Sequence, residues 1–125
     1  MRTDSENLYE ALEKIFHEPN RLSIMSALCA AEKEGLTFGE LKEACTLTDG
    51  NLNRHLKVLD EAGAVRIHKT FVDSKPRTTV CLSKEGLERF SEYLSALGEV
   101  LQKARKALPE ENRKTAMLLG KAVRV

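Results

Sequence analysis

Residues 48–63, TDGNLNRHLKVLDEAG, decide how this chain is read. Leu52, Leu56 and Leu59 recur at intervals of four and three residues, the spacing that gathers side chains on one face of an α-helix. Thr48 is a suitable N-cap, Asp49 complements the positive end of the helix dipole, and Gly63 supplies a left-handed stop after Ala62. Asn51, Asn53, Arg54 and Lys57 are left on the accessible faces. Any soluble helix shows polar groups to water, so this stretch alone leaves open whether the outer face binds anything.

Its neighbours narrow the choice. Upstream, Thr37 and Glu40 have capping-box spacing, which predicts a short helix running through Leu41 and Ala44 to about Cys45. Only Thr46, Leu47 and Thr48 then separate two consecutive helices. A largely apolar helix is expected over 20–33, carrying Leu22, Ile24, Met25, Leu28 and Cys29, with Pro19 at its first turn and Gly35 ending it. Leu36 to Phe38 reads as an extended link. A first helix is expected over 5–17, with Leu8, Leu12 and Ile15 on one face and Asp4 or Ser5 as its cap. Downstream, AVRIHKTFV and RTTVCLS alternate as antiparallel strands around a DSKP tip.

Ser83 then opens a long helix over 84–108. In it Leu87, Phe90, Leu94, Leu97, Leu101, Ala104 and Leu108 follow at alternating steps of three and four, a heptad seam. Pro109 breaks it, and the tail 109–125 has room for a short helix around Met117 to Leu119.

At 125 residues, the chain fits one domain, 1–125. Its composition, 42% hydrophobic and 31% charged, is that of a folding chain. The polar, acidic start and the lack of a long apolar run predict a cytoplasmic protein without a membrane span. Cys29, Cys45 and Cys81 are odd in number, widely spaced and flanked by apolar residues, so packed, reduced thiols are expected. The formal net charge is only +1, but residues 66–79 hold four basic residues against the single Asp73. That local excess is the footprint an anionic partner would need.

Of these elements, the three helices between residues 20 and 62, a two-stranded hairpin and a long closing helix describe a mainly α fold with a small β-hairpin: a winged helix-turn-helix with a long C-terminal dimerisation helix. Residues 37–63 form the helix-turn-helix and 64–83 the wing. In this motif the second helix lies in the major groove, its N-terminal residues toward the base edges. Asparagine reads adenine and arginine reads guanine there through paired hydrogen bonds, which suits Asn51, Asn53 and Arg54, with Lys57 beside them. At the hairpin tip Lys69, Lys75 and Arg77, with Ser74, Thr78 and Thr79, can meet phosphates or enter a minor groove. His55 is expected to be packed or hydrogen-bonded. Seven seam positions exceed what so small a domain can cover, which predicts a homodimer through helices 5–17 and 84–108, using Leu8, Leu12, Leu87, Phe90, Leu94, Leu97, Leu101 and Leu108.

Residues 19–30, PNRLSIMSALCA, and 36–90, in which LTDGNLNRHLKVLDEAG, KPRTT and LSKEGL are the most specific pieces, resemble winged-helix regulators lying between the MarR and ArsR types. The resemblance covers roughly residues 10–100 and implies a homodimeric transcriptional regulator bound to double-stranded DNA. Carried over, it implies DNA contacts from Thr48, Asn51, Asn53, Arg54 and Lys57 and from Lys75, Arg77 and Thr78. Asp49 would face phosphate repulsion and reads as a helix-start residue. ArsR-like sensing implies paired cysteines near the reading helix or His/Asp clusters on the last helix; 84–108 has no His, Cys or Asp, so no metal or other cofactor is expected. A small-molecule effector is compatible with the fold, although no residue identifies one. No nucleophile-base pair or phosphate loop is present in the sequence, so an enzyme is not expected. The alternative reading, from another class, is a winged-helix protein-interaction module without sequence-specific DNA binding.

Overall fold

The structure, a computed structural model, describes residues 9–113. Helix α1 spans Pro19–Ala30, β1 is Leu36–Thr37, α2 is Phe38–Cys45, α3 is Asp49–Glu61, β2 is Val65–Val72, β3 is Lys75–Leu82 and α4 is Lys84–Ala107. The strands form one antiparallel sheet in the order β1-β3-β2.

Local chemistry sets most of these boundaries. At α2 both halves of the capping box are made: Thr37 Oγ1 accepts from the Glu40 amide at 3.1 Å, and Glu40 accepts from the Thr37 amide at 2.8 Å. Thr48 caps α3 by accepting from the Asn51 amide, and Ser83 caps α4 by accepting from the Gly86 amide. Pro19 occupies the first turn of α1, and Glu18 before it is extended (φ −141°, ψ 129°), as the pre-proline position favours. The tight link between α2 and α3 turns at Thr46, which adopts a left-handed φ of 54°.

One core runs between the layers. Ile24, Met25 and Leu28 of α1 meet Leu41 of α2, Leu52, Leu56 and Leu59 of α3, Val65 and Val80 of the sheet, and Phe90 and Tyr93 of α4. Two glycines permit the close approaches. A Cβ at Gly86 would lie 1.9 Å from the Ala64 carbonyl oxygen, so α4 can start against the base of the wing only because that atom is missing. Gly35, at φ +80°, likewise sits against the Val80 carbonyl.

Several expectations need correction. Of the helix expected over 5–17, residues 5–8, including Leu8, lie outside the described residues; residues 9 and 10 are helical, and 11–18 form turns. The stripe of Leu12 and Ile15 yields to a tertiary demand. Phe16 is fully buried and packs on Phe90 at 5.3 Å and Tyr93 at 5.8 Å, and the His17 Nδ1 lies 2.8 Å from the Tyr93 hydroxyl. The segment is strapped down by Arg89, which donates to both oxygens of Glu13 (2.7 and 3.3 Å) and to the Ala62 carbonyl (2.7 Å). Glu13 holds the guanidinium pKa above its ordinary value.

Helix α1 ends at Ala30, three residues short of 33, and the link at Leu36–Thr37 is a strand, pairing with Val80 and Thr79. The hairpin tip is Asp73–Ser74 alone rather than DSKP; both residues have positive φ (54° and 64°), the twist a two-residue hairpin needs. Cys29 is exposed rather than packed, whereas Cys45 and Cys81 are half-buried. The helix considered around Met117 to Leu119 lies outside the described residues.

The seam on α4 divides. Phe90 is 1% exposed and belongs to this chain's own core, so it has no surface left for a partner; Leu97 and Leu12 pack against that core. Leu87, Leu94, Leu101 and Leu108, each seven residues apart, remain 38–48% exposed.

Candidate nucleic-acid interface

Helix α3 rotates about 100° per residue, which sorts its side chains into flanks. Leu52, His55, Leu56 and Leu59 are buried. Gly50, Arg54, Lys57 and Glu61 fall on the outermost row, Asn53 leans toward the hairpin and Asn51 toward the opposite flank. All of these are exposed. Gly50 is open: beyond its chain neighbours and the backbone of its own helix, no atom lies within 4 Å of where a Cβ would stand. The start of α3 is therefore bare backbone, with the Thr48 hydroxyl oxygen engaged in the cap and its proton left to donate outward.

Asp49, the acidic residue in the first turn of α3, is compensated. Lys42 of α2 reaches across the turn to place Nζ 2.8 Å from Asp49 Oδ1. Sequence reasoning missed Lys42; its position seven residues before Asp49, on the helix that braces α3, was the available signal.

The inner flank is fixed by His55, which is 4% exposed. Arg21 Nη1, a donor only, lies 3.1 Å from Nδ1, so that nitrogen accepts and the ring carries its proton on Nε2. The Asn20 side-chain amide is 3.4 Å from Nε2, and this tautomer asks it to present its oxygen there. Burial lowers the His55 pKa; Glu18, 3.7 Å from Nδ1, opposes the shift, and Arg21 and Arg54 add to it. A neutral imidazole thus joins the reading helix to the start of α1.

Between α3 and the hairpin lies an open cleft of about 410 Å³, lined by Asn53, Lys57 and Asp60 on one side and Ile67, Lys69 and Thr78 on the other, with Leu56 and Phe38 beneath. Four of the sequence-derived contact residues, Asn53, Lys57, Lys69 and Thr78, are thereby brought together. Arg54 and Asn51 stand beside them on α3. Lys75 and Arg77 lie on the other face of the hairpin, paired with Val72 and Thr70. Arg77 is near enough to Glu40 to help hold that carboxyl below the ordinary range, although the cap hydrogen bonds from Thr37 are the larger cause. His68 is exposed on the same outer face, opposite Thr79. Phe71, which sequence reasoning did not single out, is 77% exposed near the tip.

The face so built offers cations, amides and a helix N-terminus to one partner surface. Among the described residues no group of His, Cys, Asp or Glu could hold a metal ion, and no helix is long and apolar enough to cross a membrane.

Comparisons with known proteins agree with this fold. Residues 20–101 match the model of the winged helix DNA-binding domain family. An uncharacterized protein of Methanocaldococcus jannaschii is 36% identical over 89 residues, which span 71% of this chain and 91% of that protein. The structure of the transcriptional regulator homologue protein from Pyrococcus horikoshii OT3 superposes with a TM-score of 0.71 at 33% identity, covering 79% of this chain and 97% of that one. The Staphylococcus aureus MepR-DNA complex superposes with a TM-score of 0.62 at 17% identity, covering 93% of both chains, a likeness of fold.

Proposed function

Because the chain belongs to the winged helix DNA-binding domain family, a family of DNA-binding modules rather than enzymes, we propose that it is a homodimeric, sequence-specific transcriptional regulator acting in the cytoplasm. Helix α3 enters the major groove, Asn51, Asn53 and Arg54 read base edges, and Thr48 and Lys57 fix the helix on the backbone. Lys69, Lys75, Arg77 and Thr78 of the hairpin hold phosphates at its side. The observation that carries this reading is the cleft in which Asn53 and Lys57 of α3 face Lys69 and Thr78 of the hairpin. A duplex seated on α3 meets the hairpin without rearrangement.

The dimer rests on the leucines that α4 leaves in water. Their seven-residue repeat is the seam a second copy of the same helix fills. Two-fold symmetry would set the reading helices about 34–36 Å apart, one turn of duplex, on a pseudo-palindromic site. The whole chain, 1–125, then acts as one unit: 37–63 reads, 64–83 clamps and 84–108 pairs.

Selection of bound duplexes from a random pool, followed by titration over a salt series, tests the proposal. Arg54→Ala should weaken binding to the selected site by about 5- to 150-fold and relax the preference at one base pair. Lys75→Ala should weaken all sequences alike and reduce the salt slope by about 1. A folded dimer that binds no duplex at low salt, or binds all equally, would refute sequence-specific reading and leave the protein-interaction module.

A further inference from the structure

Phe71 is the most exposed large apolar side chain among the described residues, at 77%. Its position is tightly held. The hairpin turns on Asp73–Ser74 and pairs Val72 with Lys75 and Phe71 with Pro76. In such a hairpin the pair flanking the turn exchanges backbone hydrogen bonds and the next pair does not. Pro76, which has no N–H to give, therefore sits where none is needed, directly across the ladder from Phe71 in a non-bonded pair, the closer of the two backbone spacings. The two share one face of the hairpin as a small apolar ridge.

The ridge faces the cleft. Phe71 and Pro76 lie two residues beyond Lys69 and Thr78 on the same strands, so they continue the same sheet face toward the tip. Lys69 and Thr78 line the cleft with α3. On the reverse face the same stretch carries Lys75 and Arg77. The tip is thus cationic on both sides, with one acidic residue, Asp73, and an apolar ridge on the side turned to the reading helix.

We propose that Phe71, backed by Pro76, is a further DNA-contact residue, which packs into the minor groove flanking the segment read by α3. The inference rests on the DNA-binding reading above and deepens it. The occupant is chosen by charge. A minor groove presents two rows of phosphates with sugars and base edges between them, and apolar wedges are a recurrent way of engaging it. The hairpin matches that order: Lys69 toward one row, Lys75 and Arg77 toward the other, and the ridge toward the sugars. An apolar contact of this kind releases no counterions, so it adds affinity without adding salt dependence.

Fluorescence anisotropy with the full chain on a selected site tests this, using one duplex with about ten flanking base pairs on each side and one trimmed to the reading-helix contacts. Phe71→Ala should bind the long duplex about tenfold more weakly, with an unchanged salt slope and an unchanged melting temperature. Phe71→Leu should recover most of the loss, and on the trimmed duplex Phe71→Ala and the parent should bind equally. Equal binding of parent and Phe71→Ala on the long duplex would overturn the inference alone. So would a loss that lowers the salt slope, as Lys75→Ala should, or one that persists on the trimmed duplex. Loss of binding to anionic vesicles with DNA affinity intact would assign the ridge to a membrane surface and also overturn it. A parent that binds no duplex refutes the regulator reading itself.

Discussion

Replacing Leu94 and Leu101 together by glutamate should separate the proposed dimer while leaving each protomer folded. The two side chains are 44% and 47% exposed, so about half of each is still available for burial by a partner. Fully burying a leucine side chain stabilises by ~1.5–3 kcal/mol, which makes the remaining half worth ~0.7–1.5 kcal/mol. Each protomer contributes two and the dimer four, so the substitution removes ~3–6 kcal/mol of association energy before any cost of burying carboxylates. Such a loss raises the dimer dissociation constant by roughly 10²- to 10⁴-fold. Within the protomer the same positions are surface, where substitutions change stability by about 0.5 kcal/mol or less. Sedimentation velocity across a micromolar concentration series measures the first quantity and thermal melting the second. The variant should sediment as a monomer, melt close to the parent, and bind a single half-site while losing cooperative binding to two. A variant that dimerises with the parent's constant would refute assignment of the leucines to the interface. One that unfolds would place them in the core.

Two glycines of α4 should respond oppositely to alanine: Gly98→Ala meets open space and should gain ~0.5–1 kcal/mol of helix stability, whereas Gly86→Ala drives a Cβ to 1.9 Å from the Ala64 oxygen and should cost ~1–3 kcal/mol or more in urea unfolding. Arg89→Met removes the donors to Glu13 and the Ala62 carbonyl together and should cost about 1–3 kcal/mol, read as a melting temperature lower by several degrees; an unchanged melt would mean that the strap is dispensable. His55, whose burial lowers its pKa below the ordinary 6.5, binds its proton less readily folded than unfolded. Its contribution is complete above the unfolded pKa and is lost as the pH falls below it toward the folded value, so stability should rise with pH through that window, and His55→Gln should flatten this part of the profile.

What was legible in the sequence was local. Thr37 with Glu40, Thr48 with Asn51, and Ser83 with Gly86 each make a cap within four residues, so their chemistry is visible without knowledge of the fold. The sorting of α3 into buried leucines and an exposed polar face follows from the helical period and needed no partner. Where the outcome depended on residues far along the chain, periodicity misled. Leu12 and Ile15 have helical spacing, but the burial of Phe16 against Phe90 and Tyr93 breaks the helix over 11–18. Leu36–Thr37 is a strand only because Thr79 and Val80 lie beside it. Phe90 shares the heptad phase of the leucines because one period serves a helix packed on its own core and a helix packed on a second chain. At the candidate site the cations were visible as a charge excess, but the Lys42–Asp49 pair, the Arg77 influence on Glu40 and the exposure of Phe71 depend on the turn and the sheet register.

The position of Pro76 has a consequence for the protein at high concentration. Strand β1 covers β3 only at Thr79 and Val80, so the margin of β3 nearer the tip is open, and an open strand margin beside Phe71 and Val72 is a template on which another chain could lay a strand. A proline there withholds the amide that such an added strand would need, and Lys75 and Arg77 on either side repel a copy of the same segment. Pro76 therefore closes the tip end of the β3 margin to an added strand, whereas the outer margin of β2, the strand that carries Phe71, lies on the far side of the sheet from it. Along β3, protection and reach meet in one residue of the tip.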